Sequence, residues 1–415
     1  MSDEPTIRVL HLIDELGWGG SQRWIWDIIR LSSPDGFSHR VVPIIPDKGE
    51  YVYAERLQGA GVYSSYHQSP LLGLFRNAIR REPIRTLIGP IRKALVLGWL
   101  VGVQIPALRR IYAAVREFNP HVIHAHMFCG LSSGLLAKAH FKIPLVYSVP
   151  CLFSQMKDAG FSWMPRLYAW QHSRVDCFFT GASLEELRSV GVSPVKTVEL
   201  RGVVDCEAIQ AVSSERESHY SLIRRLLGLS NDAVIALSVG RLHPSKGHLY
   251  ALEAIPSLAQ RVSNIHWVVL GEGDQRADLM SRASELGVGN RVHLIGFHSD
   301  PLPYYAAADA YLRTNVFEAE NLCSYQAMAM GLPVIGFDTG CETELLRKVG
   351  HGVLVPNRDA HALATRASEI LLLPDKGKQL GGLGAKYCLE NLDIRQSIDV
   401  FCRAYISLAQ GVETT

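Results

Sequence analysis

Two cationic side chains, Arg241 and Lys246, stand five residues apart in a loop between an apolar run and a helical pattern. Gly240 and Gly247 flank the pair and allow the backbone to approach a ligand closely. The free N–H groups of the first helical turn and the helix dipole favour an anion there. Arginine binds phosphate oxygens through paired hydrogen bonds, and lysine adds a mobile point charge. The loop predicts a phosphate site, against the simpler interpretation of two solvated surface cations.

A carboxylate and an amide, Glu318 and Gln326, form a second group with seven residues between them. Glu318 falls in the loop before a helical stretch, and Gln326 falls on the first turns of that helix. A carboxylate in this loop can accept hydrogen bonds from sugar hydroxyls. The backbone amides of residues 319–322, which include Asn321 and Leu322, can donate hydrogen bonds to them. The spacing therefore favours a site for sugar hydroxyl groups.

Apolar runs that end in glycine position both groups. Three runs in the second half, at 233–239, 266–270 and 291–295, are each followed by a glycine. The residues at these ends are Gly240, Gly271, Gly273, Gly296 and Phe297. Short buried-type strands followed by helical patterns are typical of a parallel α/β sheet. Because ligands bind outside the carboxyl ends of such strands, the pattern predicts one anion-binding edge.

The first half of the chain repeats this pattern. Strands are predicted at 7–13, 40–45, 121–124, 145–148 and 175–179. A glycine loop that contains Gly19 and Gly20 follows the first strand and precedes a helix. His126 follows the third strand, whereas His124 lies within the strand pattern and is predicted to be a core residue. For His126, a ligand contact and a satisfied histidine at a strand end both stay open.

The length of 415 residues is too great for one compact core, so two domains of roughly 200 residues are expected. The polar stretch 213–221 is the best linker candidate. The sequence predicts two doubly wound, Rossmann-like α/β domains, at 1–205 and 206–395. The final segment, 396–415, is helical in pattern and is expected to dock elsewhere, for example by crossing back to the N-terminal domain.

Composition excludes several classes of protein. A formal net charge of +2 is too small to suggest a nucleic-acid binder. The eight cysteines include no Cys-x-x-Cys pair and no zinc spacing, which favours buried, reduced thiols. The first residues lack the regions of a signal peptide, and no stretch reaches the ~18 apolar residues that cross a bilayer. A cytoplasmic protein is therefore expected.

Residues 69–110 interrupt the alternation of strands and helices. Between 76 and 93, six cationic residues stand against a single acid, Glu82. An apolar stretch at 94–105 follows. One interpretation is an in-plane anchor at 76–105, peripheral on the inner face of an anionic membrane. The other is a helical excursion that packs on the N-terminal domain, and the sequence leaves both open.

Together these motifs resemble the retaining glycosyltransferases of the GT-B fold, in glycosyltransferase family four and group 1 of the glycosyl transferases. The matching segments are 17–22, 124–126, 239–247, 271–273, 296–297, 318–326 and 340–344. The resemblance implies transfer of a sugar from a nucleoside-diphosphate-sugar to an acceptor hydroxyl with retention of configuration. It also implies a sugar or lipid-linked sugar acceptor, a place in cell-envelope glycan synthesis, and no metal or other cofactor.

The resemblance assigns roles to individual residues. Arg241 and Lys246 would neutralise the diphosphate of the donor as it leaves. Glu318 would hold the transferred sugar, His126 would lie beside that sugar, and Gln326 would hold the ribose. The other positions implied to bind the donor are Gly19, Gly20, Gly240, Gly271, Gly273, Asn321 and Leu322, with Gly296 and Phe297 at the nucleobase.

The chain departs from the family pattern at four positions. Gln326 stands where the family has its second glutamate, and a neutral amide binds ribose hydroxyls less strongly than a carboxylate does. Asn315 and Ala319 replace the usual serine and glycine around the first glutamate. Arg201 replaces an asparagine near the domain junction.

Transfer is favoured, and two other functions stay open. No protein nucleophile with an attendant base and no Asp-x-Asp metal motif is evident, so the two cations are expected to stabilise the leaving diphosphate. One alternative is a catalytically silent nucleotide- or glycan-binding partner of a glycan-synthesis complex. The other is a sugar-nucleotide epimerase, or a glucan phosphorylase, on the same architecture.

Overall fold

The structure of the chain is a computed structural model. It describes residues 6–14, 16, 20–45, 52–63, 105–149, 171, 173–180, 197–200, 202–316 and 322–411. The chain divides into two compact units. The first comprises Met1–Leu200 together with Ser397–Thr415, and the second comprises Arg201–Gln396.

The first unit is built on a parallel sheet of six strands. In chain order these are β1 (Ile7–Ile13), β2 (Phe37–Pro43), β3 (Val122–His126), β4 (Leu145–Val149), β5 (Cys177–Thr180) and β6 (Thr197–Glu199). Across the sheet the order is β2-β1-β3-β4-β5-β6. The helices described before residue 200 are α1 (Gly20–Ser32), α2 (Val52–Gly59), α3 (105–118) and α4 (Met127–Phe141).

The second unit contains another parallel six-stranded sheet. Its strands are β7 (Val234–Val239), β8 (Ile265–Leu270), β9 (Val292–Gly296), β10 (Ala310–Arg313), β11 (Val334–Phe337) and β12 (Gly352–Val355), in the order β12-β11-β10-β7-β8-β9. The helices from residue 206 onward are α5 (Cys206–Ser214), α6 (Arg216–Leu226), α7 (His248–Arg261), α8 (Arg276–Glu285), α9 (Leu302–Ala307), α10 (Leu322–Ala329), α11 (Gly340–Val349), α12 (Ala360–Leu371), α13 (Pro374–Asn391) and α14 (Ile394–Ala409). Residues of α14 from Ser397 onward belong to the first unit.

Both faces of each sheet are covered, as the side chains of the strands show. Along β7, Ile235 and Leu237 lie in one apolar core, whereas Ala236 between them lies in another. Leu12 and Ile13 of β1 divide between two cores in the same way. Because successive side chains of a strand point to opposite faces, an unbroken apolar run must be buried on both. The predicted fold class, two doubly wound α/β domains, is confirmed.

Residues 213–221, predicted to be a linker, lie in α5 and α6, so that prediction was wrong. Asp205 caps α5 by accepting a hydrogen bond from the N–H of Ala208 at 3.0 Å. Ile209 and Ile223 bury the apolar sides of the two helices. The polar residues of this stretch belong to the outer faces of amphipathic helices, a composition that a linker shares. The two units divide between Leu200 and Arg201 instead.

Most of the predicted insertion lies outside the described residues. Of residues 69–110, only 105–110 are described, as part of α3. Ala107 and Ile111 on this helix are buried in an apolar core of the first unit. Within the described ranges, no helix combines the length and the apolar character that spanning a bilayer requires. The membrane interpretation of 76–105 stays a prediction.

Candidate functional site

The segments that follow β7, β8 and β9 are joined by backbone hydrogen bonds. The N–H of Gly240 donates to the carbonyl oxygen of Leu270 at 2.9 Å, and the N–H of Gly271 donates to that of Gly296 at 2.8 Å. These bonds bring three strand ends together at the carboxyl edge of the second sheet. The sequence predicted this edge because parallel strands all end on the same side.

Glycine is required where two of these segments cross. A Cβ atom on Gly271 would lie 1.9 Å from the carbonyl oxygen of Gly240. A Cβ atom on Gly273 would lie 2.3 Å from the carbonyl oxygen of Leu242. Both separations are far below van der Waals contact, so any side chain would push the segments apart. Their backbones are therefore packed directly against each other.

Lys246 ends a single 3-10 turn, Pro244–Lys246, that separates β7 from α7. His243 caps this turn, since its Nδ1 accepts a hydrogen bond from the N–H of Ser245 at 3.3 Å. The half-buried Lys246 side chain runs back over the end of β7. Its Cδ and Cε atoms would lie 3.7 Å from a Cβ atom on Gly240. Arg241, next to Gly240, is exposed, so the two predicted cations lie at the same strand end.

The end of β10 fixes the position of this turn. Oγ1 of Thr314 donates to the carbonyl oxygen of Lys246 at 2.9 Å, and the N–H of Val316 donates to that of Ser245 at 3.0 Å. Gly247 has φ +65°, and a Cβ atom on it would lie 2.0 Å from the carbonyl oxygen of Thr314. Both the left-handed backbone and the close approach require glycine here. Two neighbouring strands therefore hold the cationic loop.

Two of the four residues predicted to bind sugar hydroxyls are described. Leu322 begins α10 and is half-buried, and Gln326 lies on the second turn of that helix with 6% of its surface exposed. Glu318 and Asn321 lie outside the described residues. The predicted placement of residue 326 on the first turns of a helix is confirmed.

Positive charge in the loop is carried by Arg241 and Lys246. Burial lowers the pKa of His248 to about 4, with a smaller contribution from the charge of Lys246. Burial, and then the charge of Arg241, also lowers the pKa of His243. Both rings are therefore neutral at pH 7. No acid in the described part of the chain forms an ion pair with Arg241.

In the first unit, His126 and Gly20 lie at the carboxyl edge of the sheet. His126 is the last residue of β3 and is 2% exposed, and Gly20 begins the helix that follows β1. These two strands are parallel neighbours. The N–H of Gly130 in α4 donates to Oδ1 of Asp14 at 2.8 Å, which ties the two strand ends together. Gly19 lies outside the described residues.

The structure thus divides the predicted site residues into four groups. Those at the carboxyl edge of the second sheet are Gly240, Arg241, Lys246, Gly271, Gly273, Gly296 and Phe297, and those on α10 are Leu322 and Gln326. Those at the carboxyl edge of the first sheet are Gly20 and His126. Those outside the described residues are Gly19, Glu318 and Asn321.

Sequence reasoning missed Arg313, which is completely buried at the end of β10. Its Nη1 donates to the carbonyl oxygen of Phe337 at 2.9 Å and to Oγ1 of Thr339 at 3.0 Å. These bonds hold the segment between β11 and α11 against β10. A cation inside an otherwise apolar run was the signal, because a buried arginine must satisfy its N–H groups.

Sequence reasoning also missed that His126 belongs to a histidine cluster. His11, His39 and His124 are buried beside it on β1, β2 and β3. The prediction of His124 as a core residue is confirmed, since none of its surface is exposed. Histidines inside or beside three predicted strands were the available signal. Their grouping depends on the register between strands, which the sequence alone does not give.

Two family models match the chain in succession. The model of Glycosyltransferase Family 4 matches residues 18–207. The model of Glycosyl transferases group 1 matches residues 221–386. The charged loop, its glycines and Gln326 fall in the second match, whereas Gly20 and His126 fall in the first.

Similar proteins bear related names. An uncharacterized glycosyltransferase of Methanocaldococcus jannaschii is 31% identical over 150 residues, which is 36% of this chain and 38% of that protein. The lipopolysaccharide core biosynthesis glycosyltransferase LpsE of Rhizobium meliloti is 28% identical over 36% of this chain and 42% of its own. The alpha-D-kanosaminyltransferase of Streptomyces kanamyceticus is 24% identical over 68% of this chain and 75% of its own.

The fold is shared with solved structures. The crystal structure of Anabaena HepE in complex with UDP superposes with a TM-score of 0.74 at 18% sequence identity. The superposition covers 97% of this chain and all of the HepE chain. At this level of identity the similarity shows the fold alone.

Proposed function

Because this chain belongs to the glycosyltransferases of the GT-B fold, we propose that it transfers a sugar from a nucleoside-diphosphate-sugar to an acceptor hydroxyl with retention of anomeric configuration. The LpsE relative supports a place in cell-envelope glycan synthesis. HepE, crystallised with UDP, supports a nucleoside diphosphate as part of the donor.

The placement of Arg241 and Lys246 is the observation that carries this proposal. Both cations lie at the end of β7, and the nearby rings of His243 in the loop and His248 at the start of α7 are neutral. Negative charge grows on the diphosphate as its bond to the sugar breaks, and fixed cations stabilise that charge. In this proposal the two side chains do this without a metal ion.

The other roles follow the family resemblance. Glu318 holds the transferred sugar, Gln326 holds the ribose, and Gly296 with Phe297 borders the nucleobase. Asn321 and Leu322 donate backbone hydrogen bonds near the sugar, and His126 lies beside it. At Gly240, Gly271 and Gly273 the backbone approaches the donor closely, and Gly19 and Gly20 lie at the diphosphate. All of these stay proposals.

The proposed step exchanges one bond at the anomeric carbon for another. The bond from this carbon to the phosphate oxygen breaks, and a bond to the acceptor oxygen forms on the same face. The acceptor proton passes to an oxygen of the leaving diphosphate. No protein nucleophile is needed, so binding and electrostatic stabilisation supply the catalysis.

A lipid-linked acceptor is proposed on the basis of residues 76–105. Their cations would lie on anionic headgroups, with the apolar stretch at the acyl boundary. Flotation of the protein with liposomes tests this step. Flotation of the protein only with liposomes that contain anionic lipid supports it. The same amount of protein in the floating fraction with anionic liposomes and without any lipid would contradict it.

A panel of donors tests the function as a whole. Thermal unfolding is measured with UDP-, GDP- and ADP-sugars, since a ligand that binds the folded state raises its stability. One nucleotide class should raise the melting temperature, and the same donor should slowly release nucleoside diphosphate without acceptor. Stabilisation without any release indicates a silent binding partner, and conversion to an isomeric donor indicates an epimerase. Either result would displace the proposal.

A further inference from the structure

Four buried histidines occupy neighbouring positions on three adjacent strands of the first sheet. His39 lies on β2, His11 on β1, and His124 and His126 on β3, and none is more than 4% exposed. His11 and His124 are register partners. A buried imidazole must pair both ring nitrogens or pay for leaving one unpaired. The pairing of these rings therefore constrains where each proton lies.

Hydrogen bonds connect three of these rings to Ser32 at the end of α1. Nε2 of His126 lies 3.1 Å from Nδ1 of His11, and Nε2 of His11 lies 3.0 Å from Nδ1 of His39. Nε2 of His39 lies 2.9 Å from Oγ of Ser32. The hydroxyl of Ser32 lies 2.6 Å from the carbonyl oxygen of Ile28.

The contact between Ser32 and Ile28 sets the direction of the whole chain of hydrogen bonds. A carbonyl oxygen can only accept, so the single proton of the Ser32 hydroxyl points to Ile28. Nε2 of His39 must then be the donor to Ser32, which leaves its Nδ1 to accept from His11. His11 in turn accepts at Nδ1 from Nε2 of His126. The reverse direction would place two acceptors, the hydroxyl and carbonyl oxygens, 2.6 Å apart.

We propose that Ser32, His39 and His11 are positioning residues that hold His126 with its proton on Nε2. The Nδ1 atom of His126 is then an obligate hydrogen-bond acceptor. The significance of this for catalysis rests on the proposed function, in which His126 lies beside the transferred sugar. A hydroxyl of that sugar can donate to Nδ1, and His126 in this tautomer cannot act as a proton donor there.

The neutral state of the three histidine rings agrees with this chain of hydrogen bonds. Burial lowers the pKa of His39 to about 4 and that of His126 to about 3. Burial, followed by the neighbouring histidines, lowers the pKa of His11 well below 6.5. A second proton on His39 or on His11 would place two N–H groups against each other and break one hydrogen bond of the chain.

The same rings could be considered as a metal site, since His11, His124 and His126 each place one ring nitrogen within 4.8 Å of the others. The hydrogen bonds oppose that use. One proton already lies between His11 and His126, and the nitrogens of His124 bond to Oγ of Ser148 and the hydroxyl of Tyr405, both at 2.6 Å. A cation would have to displace these bonds with no carboxylate in the group to offset its charge.

Nitrogen NMR of the full-length protein, labelled with ¹⁵N-histidine, reads each tautomer directly. Protonated and lone-pair ring nitrogens resonate in separate regions, and replacement of single histidines assigns the signals. The spectrum is recorded without donor, so it stands whether or not sugar transfer is found. We expect Nε2–H for His39, His11 and His126. Nδ1–H on His126, or a stoichiometric metal whose loss follows replacement of His11, would overturn the proposal.

A pair of serine variants tests whether Ser32 sets the tautomer. Ser33 makes the same bond one residue later, to the carbonyl oxygen of Ile29 at 2.6 Å, and has no described histidine partner. Ser32→Ala leaves an unpaired N–H on His39. An unpaired buried N–H is tolerated less than an unpaired acceptor. The direction of the hydrogen bonds should therefore reverse, which places Nδ1–H on His126.

Ser33→Ala should leave every tautomer unchanged. An unchanged His126 in Ser32→Ala would refute the role of Ser32, and the wild-type spectrum decides the tautomer even if that variant does not fold. Where transfer is measurable, Ser32→Ala should lower kcat by about tenfold, the effect of one lost hydrogen bond, whereas Ser33→Ala should not.

Discussion

Lys246 illustrates how single side chains in this protein are placed by several strands at once. Its backbone is held by Thr314 after β10, and its side chain lies over Gly240 after β7. The sequence predicted that Arg241 and Lys246 would lie at a strand end, because the apolar run and the glycines mark that end. It could not predict the bonds to Thr314 or the histidine chain, which depend on strand order and register.

Gln326 offers a test at the scale of one residue. Replacement with glutamate should tighten donor binding about fivefold, because a carboxylate accepts stronger hydrogen bonds from ribose hydroxyls. The free protein should melt at a lower temperature, since a carboxylate at this buried position is poorly solvated. Calorimetric titration with the preferred donor measures the affinity.

Gln379→Glu provides the control, because it adds the same charge at an exposed position on α13. It should change neither donor affinity nor the melting temperature. Equal or weaker donor binding by Gln326→Glu would refute a ribose contact at residue 326.

At the scale of elements, the candidate site is built from strand ends and the segments that leave them. Backbone contacts between the segments after β7 and β8 leave no room for side chains. The sequence correctly predicted that these glycine segments follow the ends of buried strands, because glycine after an apolar run is a local signal. It misassigned α5 and α6, because polar residues on the outer face of a helix resemble those of a linker.

Gly271→Ala should destabilise the protein and weaken donor binding. The added Cβ atom would meet the carbonyl oxygen of Gly240 at 1.9 Å, so the two segments must separate. A cost of about 1–3 kcal/mol is expected from such overpacking. Gly289→Ala is the control, because a Cβ atom there would meet nothing within 4 Å. Equal urea midpoints for the two variants would contradict the packing described.

The buried histidine face of the first sheet predicts a loss of stability in acid. The folded pKa is about 4 for His39 and about 3 for His126, and burial is the cause. Unfolded histidines titrate near 6.5, so below that pH the unfolded state binds more protons than the folded state. The free energy of unfolding is therefore highest above pH 6.5. Below that pH it falls by about 1.4 kcal/mol per pH unit for each such histidine.

Urea unfolding at pH 7.5, 6.5 and 5.5 measures this slope. His39→Asn should make the slope shallower by about one proton. Replacement of the exposed His140 with Asn should leave it unchanged. Equal stability at pH 7.5 and 5.5 would contradict the burial of the cluster.

At the scale of the whole molecule, two doubly wound α/β domains were predictable from alternating apolar runs and helical patterns, whereas the six strands of each sheet were not all predicted. The assignment of residues 397–415 to the first unit depends on contacts that are distant in sequence, such as that of His124 with Tyr405. The net charge is only +2. Attraction of the proposed anionic donor would therefore come from local cations rather than from the field of the whole protein.

The most direct measurement of the central claim compares turnover of the preferred donor by Lys246→Ala, Arg241→Ala and Arg261→Ala. Arg261 ends the helix that Lys246 precedes, so its replacement removes the same charge from the opposite end of α7. We predict that loss of either loop cation lowers kcat by about 10²–10³ with an unchanged melting temperature, the effect of removing one group that stabilises developing charge. Arg261→Ala should retain wild-type turnover. Near-normal turnover by both Lys246→Ala and Arg241→Ala would contradict the account.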